Sequence, residues 1–305
     1  MGGAGRGAVV TVGTFDGVHR GHQAVLAEIT RRAEARRCES VVVTFDPHPL
    51  AVVNPSAAPP LLTLPPERQR LLEASGVSRV ETVPFTAEVA RLEPVQFVRD
   101  VLRARWRMDE LVLGHDHGFG RGRSGDVETV RRIAASDGFA VDVVDAVKDD
   151  GQPISSTLIR TALAHGDLAL ARAWLGRPYG ALGTVQRGAG RGRTIGIPTL
   201  NLPVPDARKL LPPDGVYAVR VTLPDGGQRG GMMNQGPRPT FGIQERGLEI
   251  HLFDFDAELY GATVWVEWVR QLRDVRTFSS RDALIAQLAE DRAAARQSLT
   301  GEGIA

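Results

Sequence analysis

The chain has 305 residues, enough for two domains at roughly 150 residues each. Its 42% hydrophobic and 24% charged content is that of an ordinary globular protein, and 37 cations against 36 anions leave a formal charge of +1, which excludes a global field for nucleic acid or anionic membrane. Only Lys148 and Lys209 are lysines and neither lies in a GxxxxGK[ST] string, so no P-loop is present, while the lone Cys38 excludes an internal disulfide and a thiolate-rich metal site.

Residues 8–12 read as a buried strand, followed by a Gly-rich turn and a helix over 21–36. A second strand, 41–45, stops at Asp46-Pro47-His48-Pro49. Helices are predicted over 67–75 and 94–106, the latter with Val95, Val98, Val101 and Leu102 on one face. A strand at 111–113, a helix at 127–136 and a strand at 141–144 continue the alternation, which predicts a parallel sheet covered by helices. Helices then follow from 155 to 163 and from 167 to 175, and Gly176-Arg177-Pro178-Tyr179-Gly180 breaks the pattern. Short β runs at 182–185, 216–223, 230–233, 248–253 and 263–269 predict an antiparallel sheet or barrel. A last helix, 281–296, is expected to turn Leu284, Ile285 and Leu288 inward. No apolar run approaches the roughly 18 residues of a membrane span, residues 1–6 lack the core of a secretion signal, and Arg6 stands where a myristoylation motif needs Ser or Thr, so a reduced, cytoplasmic protein is expected.

The string Gly13-Thr14-Phe15-Asp16-Gly17-Val18-His19-Arg20-Gly21-His22 runs from the first strand into the first helix. Two histidines three apart across a helix start can face one anion, Gly21 leaves room for a phosphate, and the helix N-terminus adds partial positive charge. The plain alternative is a pair of histidines that only cap the helix. The string resembles the HxGH motif of the nucleotidylyltransferase superfamily, and its fuller form is similar to that of prokaryotic FAD synthetases. Thr44-Phe45-Asp46-Pro47-His48-Pro49, the loop from Leu113 to Asp126, and Ile154-Ser155-Ser156-Thr157-Leu158-Ile159-Arg160 resemble further motifs of that family in order and spacing. The resemblance implies that His19 and His22 are catalytic and that Gly13, Phe15, Asp16, Gly21, Ser155, Ser156, Thr157 and Arg160 contact ATP. It places Asp46, Asp116, Phe119, Arg121 and Arg123 on the FMN side. Read without it, Ser155–Thr157 is also compatible with a mere N-cap and Arg160 with a solvated face.

Two rival readings of this half are weaker. His19, His22, His48, His115 and His117 with nearby aspartates suggest zinc, but HxGH at a helix start lacks the i, i+4 spacing of two ligands on one helical face. Gly120-Arg121-Gly122-Arg123-Ser124-Gly125 fits GxGxxG, yet it does not begin at a strand end as a dinucleotide fingerprint does.

Beyond residue 183, the Gly/Arg run Gly188-Ala189-Gly190-Arg191-Gly192-Arg193 leads to Pro198-Thr199-Leu200-Asn201. Thr199 and Asn201 alternate in an extended segment, so one hydroxyl and one amide oxygen share a side and suit Mg²⁺. The run is short and non-repetitive, which argues against an RNA-binding tract. Glu249 and His251 share one face of the strand Leu248-Glu249-Ile250-His251-Leu252, a pattern that a solvated face also explains. These segments resemble riboflavin kinases, and together the two halves are similar to the family of bifunctional riboflavin kinase/FAD synthetases over roughly residues 9–297. That resemblance implies Glu249 as general base, Thr199 and Asn201 as Mg²⁺ ligands, Gly188, Gly190, Gly192 and Arg193 as an ATP loop, and Arg273 and Phe278 against flavin; His251 is read as structural.

The resulting expectation is a Rossmann-like α/β nucleotidylyltransferase domain over 1–178 and an antiparallel β-barrel kinase domain with a C-terminal helix over 179–305. It would convert riboflavin to FMN and FMN to FAD, using ATP and Mg²⁺, with no nucleic-acid or membrane partner. The alternatives are a nucleotidylyltransferase for another phosphomonoester and an inactive flavin-binding regulator.

Overall fold

The computed structural model describes residues 7–115, 118–188, 196–204, 206–238 and 243–300. Asp116, Gly190, Gly192 and Arg193 lie outside the described residues, as does the side chain of Arg123. The chain forms two compact units, Met1–Ser156 and Thr157–Ala305.

The first unit runs β1 (Ala8–Val12), α1 (Arg20–Arg36), β2 (Ser40–Asp46), α2 (Pro49–Val53), α3 (Pro65–Glu73), β3 (Arg79–Pro84), α4 (Ala87–Arg91) and α5 (Pro94–Gln96). A π-helical stretch, Phe97–Arg103, joins α5 to α6 (Ala104–Trp106), and β4 (Met108–Gly114), α7 (Val127–Asp137), β5 (Ala140–Val144) and the hairpin β6 (Lys148–Asp149) and β7 (Gln152–Pro153) follow. The sheet is parallel, ordered β3-β2-β1-β4-β5. Its strands are apolar runs because both faces are covered. Ala8, Val10 and Val12 join one core cluster with Val41, Val43, Leu111 and Leu113, while Val9, Val42 and Val112 face the other with Val25, Leu26 and Ile29 of α1. Each buried Val, Leu or Ile side chain among these contributes about 1.5–3 kcal/mol. The strand order reverses between β1 and β4, so the crevice for a ligand opens beyond their carboxyl ends, where the 13–19 loop and residues 118–126 follow.

The helix predicted over 94–106 is present, but its middle winds as a π-helix that buries Phe97, Val98, Val101 and Leu102 together. β3 escaped prediction because it is an edge strand whose single buried residue is Val83.

The second unit carries α8, which begins at the boundary (Ser156–Ala164), and α9 (Leu168–Leu175), which packs on β8 (Tyr179–Thr184) and β13 (Thr263–Arg273). Between them lie β9 (Leu200–Pro203), β10 (Gly215–Thr222), β11 (Gln228–Arg238) and β12 (Ile243–Leu252), with α10 (Arg281–Thr300) at the end. The six strands are antiparallel in the order β8-β13-β10-β11-β12-β9. The sheet curls until its edges meet, where the Gln186 amide donates to the Asn201 carbonyl at 2.8 Å. The inward face of α10 differs from the predicted one. Leu288 turns inward as expected, but Ile285 is 37% exposed, and the inward face continues through Asp291, Ala295 and Leu299, with Asp291 held by the ion pair from Arg273.

Candidate functional site

The loop between β1 and α1 is strained. Phe15 (φ 47°), Gly17 (φ 83°) and Val18 (φ 41°) all adopt left-handed backbone, which is costly for a β-branched valine. Asp16, 1% exposed, holds the loop in that shape. Its carboxylate accepts from the amides of Leu62 and Thr63 at 3.0 and 2.8 Å and from the Thr63 hydroxyl at 3.0 Å. The same hydroxyl accepts from the Gly17 amide at 3.0 Å, and the Ser156 hydroxyl donates to the Asp16 carbonyl at 2.9 Å. The carboxylate expected to contact ATP thus accepts from protein donors, and the Ser156 hydroxyl donates to a backbone carbonyl.

On this base the rings of His19 and His22 stack, with centroids 3.6 Å apart and planes 20° apart. His19 caps α1, its Nδ1 accepting from the His22 amide at 3.4 Å. A nitrogen that accepts carries no proton, so His19 keeps a neutral ring's N–H on Nε2. The buried ring of Phe15 supports His22 edge to face at 5.2 Å. A Cβ on Gly21 would sit 3.1 Å from the His19 ring and 3.7 Å from the Ile154 carbonyl, so glycine is what lets the imidazole lie against the helix start. Stacked imidazoles at a helix N-terminus form an anion-receiving corner.

The other residues expected on this half have different surroundings. Asp46 ends β2 and is joined to Pro47 by a cis peptide. Phe119 is 7% exposed, packs on Phe97 at 5.3 Å and exchanges backbone hydrogen bonds with Gly125, so its ring anchors the loop in the core rather than lying open. Arg121 points to the surface, paired with Glu93 at 3.3 Å. Thr157 and Arg160 lie on α8, grouped with the second unit.

In the second unit the strand register does the assembling. Glu249 on β12 stands opposite Asn201 on β9 and opposite Asn234 on β11. Directly opposed residues share a face with Cβ atoms about 4.5–5.5 Å apart, so the carboxylate lies between two amides. A Cβ on Gly188 would fall 2.2 Å from Asn201 Nδ2, and glycine there makes room for that side chain. Asn201 Nδ2 donates to the Thr199 carbonyl at 3.4 Å. Arg273 and Phe278 do come together, the guanidinium 5.6 Å from the ring centroid with Arg276 at 5.5 Å. The Arg273 fork is already closed on buried Asp291 at 2.7–3.2 Å, so its head is a strut to α10 in this structure.

A family model for FAD synthetase matches residues 3–158 and one for riboflavin kinase matches residues 175–299. The bifunctional riboflavin kinase/FMN adenylyltransferase of Escherichia coli (strain K12) is 38% identical over 291 residues, covering 95% of this chain and 92% of the relative. The protein of the same description from Bacillus subtilis (strain 168) is 36% identical, covering 93% and 90%. The chain belongs to the bifunctional riboflavin kinase/FMN adenylyltransferase family. A crystal structure from Streptococcus pneumoniae described as a macrolide-efflux protein superposes with a TM-score of 0.82 at 33% identity, covering 95% of this chain and 94% of that one. Efflux is said of that protein; among the described residues of this member of the riboflavin kinase/FMN adenylyltransferase family, no helix is long and apolar enough to cross a membrane.

Two residues that no motif flagged support the first site of this family member. Thr63 bridges Asp16 and Gly17 as described. Arg68, 2% exposed on α3, donates to the Phe45 carbonyl at 2.7 Å, and its Nε has no partner among the described residues. Burial pushes the guanidinium below its ordinary pKa, and the charges of Asp16 and Asp46 oppose that shift. The signal was present: Arg68 is one helical turn before the fully buried Leu72, which puts both on the inward face.

Proposed function

We infer that the chain phosphorylates riboflavin to FMN with ATP, releasing ADP, and adenylylates FMN with a second ATP, giving FAD and pyrophosphate. The supporting observation is that one chain carries both the His19/His22 pair at a helix start and Glu249 paired across strands with Asn201, each inside a stretch matched by the corresponding family model.

The two reactions ask for different groups. Riboflavin's attacking group is an alcohol of very high pKa, so transfer of the γ-phosphoryl gains from a base, the role assigned to Glu249. FMN already bears an anionic phosphate that attacks the α-phosphate of ATP without one. His19 and His22 are assigned to position the triphosphate and to donate to it as charge shifts. Asp16 acts through the loop it anchors, and Phe15 through the ring it supports. Ser155, Thr157 and Arg160 are assigned to the ATP phosphates by their motif, and Asp46, Arg121 and Arg123 to the FMN side. Phe119 serves there by anchoring the loop. Residues 1–178 are assigned to adenylylation and 179–305 to phosphorylation, with Gly188 and the glycines after it on the kinase ATP.

Mg²⁺ suits the second site. The side-chain oxygens of Thr199 and Asn201 are hard donors, and the Asn201 amide nitrogen is already turned to the Thr199 carbonyl. These residues would hold the ion, which when bound neutralises phosphate charge. Flavin is assigned to the neighbourhood of Phe278 and Arg273. A cytoplasmic location is proposed from the single unpaired Cys38, which suits a reduced compartment.

The purified protein, incubated with ATP, Mg²⁺ and riboflavin and followed by chromatography, is expected to form FMN and then FAD, with ADP and pyrophosphate as by-products. Flavin binding without turnover would favour the inactive regulator, and adenylylation of a different phosphomonoester alone would favour the other nucleotidylyltransferase.

A further inference from the structure

β9 starts abruptly. Its pairing with β12 begins at Leu200 opposite Ile250, and the next positions back are Thr199 and Pro198. Proline has no N–H to give, so the ladder cannot extend through Pro198, and its carbonyl needs a donor from elsewhere. His251 supplies one. It stands two residues after Glu249, hence on the same face of β12, and its Nδ1 lies 2.8 Å from the Pro198 carbonyl oxygen. On the far side of the ring, Nε2 lies 3.2 Å from Nη2 of Arg292 on α10.

These two contacts specify one protonation state. A carbonyl only accepts, so Nδ1 carries the proton; a guanidinium only donates, so Nε2 is bare. An imidazolium would press an N–H against Arg292. The ring is 9% exposed and packs edge to face on Phe253 at 5.9 Å. The charged groups that face it are Arg292, Arg296 and Asp254, and Arg296 is itself tied to Asp254 at 2.9 Å and lies over the Phe253 ring. Burial, with Arg292 and Arg296, holds the imidazole below its ordinary pKa, partly opposed by the Pro198 contact.

We propose that His251 is a positioning residue for riboflavin phosphorylation: as the neutral Nδ1–H tautomer it carries the Pro198 carbonyl and so sets Thr199 and Asn201 across from Glu249, while Arg292 of the C-terminal helix steadies the ring. The proposal rests on the kinase reading above. It makes α10 part of the support of the second site, since a shift of this helix moves Arg292, then the imidazole, then the start of β9. A bracket of this kind resembles the outer partners of a ligating group, whose removal costs about 10–100-fold in affinity or activity.

The test uses the full chain with ¹⁵N-labelled histidine and the variants His251→Ala and His251→Asn. Imidazole ¹⁵N spectra are expected to contain one ring with the Nδ1–H pattern that disappears in His251→Ala. In that variant kcat/KM for riboflavin phosphorylation falls about 10–100-fold, chiefly through the KM for ATP, while adenylylation of supplied FMN is unchanged and reports an intact fold elsewhere. His251→Asn, whose amide can still donate to the carbonyl, recovers most of the loss. An Nε2–H pattern for this ring, unaltered phosphorylation in His251→Ala, or a His251→Asn variant as poor as the alanine overturns the proposal. A parent protein that forms no FMN at all defeats the kinase reading instead, and the tautomer then decides the bracket alone.

Discussion

The first candidate site is built on a loop at strand ends, whereas the second is built inside a ladder. Phe15, Gly17 and Val18 hold left-handed backbone only because Asp16, Thr63 and Ser156 tie the loop down, so the histidine pair depends on side-chain bonds made far away in sequence. Glu249 and Asn201 meet through antiparallel register, which a one-residue slip of β9 would break by turning Asn201 to the other face. The first site therefore should fail through local anchors, and the second through register and through whatever fixes the ends of its short strand.

The largest expected contrast comes from Glu249→Gln. FMN formation should fall about 10²–10⁴-fold while FAD formation from supplied FMN is retained. Steady-state assays of both steps check it, and equal loss of both would dissolve the distinction between the sites. In the other direction, His22→Ala should lower adenylylation by about 10²–10³-fold with phosphorylation intact, so that riboflavin accumulates as FMN. FAD formation at the parental rate would refute the histidine assignment.

Asp16→Asn sharpens the comparison at the level of stability. It turns one carboxylate oxygen into an amide donor facing buried donors, a cost of about 1–3 kcal/mol. Heat inactivation of adenylylation should move to lower temperature, with that of phosphorylation unmoved. Parallel shifts in both would mean that the anchor is not local.

The smallest effect concerns pH. His251 has a folded pKa below the ordinary 6.5, so the unfolded chain takes up its proton first as pH falls. The associated stability is fully present above 6.5 and is lost as pH drops below it toward the lowered folded value. The kinase activity should become less heat-resistant on the acid side of that point, and His251→Asn should flatten the dependence. A profile identical in the variant would assign the acid sensitivity to another group.

Much of this was legible before any coordinates. The apolar runs of β1, β2, β4 and β5 announce a sheet buried on both faces, and the HxGH string and the Thr199/Asn201 alternation stand out because they concentrate polar residues at strand ends. Edge strand β3 was hidden by its exposed residues, whereas the extended segment read around Thr199 and Asn201 is the start of the four-residue strand β9. A motif names residues without saying which way they point, so the sequence does not show that Asp16 accepts from the 62–63 backbone or that Phe119 packs into the core.

The amino-acid order by itself determined the two halves and most of their strands and helices, since periodicity and local motifs are properties of neighbouring positions. Only the tertiary structure decided that Asp16 is an anchor, that Arg68 is buried beside the first site, that Ile285 faces outward, and that His251 joins Pro198 to Arg292. Those facts join residues 46, 53 and 41 positions apart, or turn on which face of an element is covered. Contacts of that range are set by packing and register rather than by local pattern.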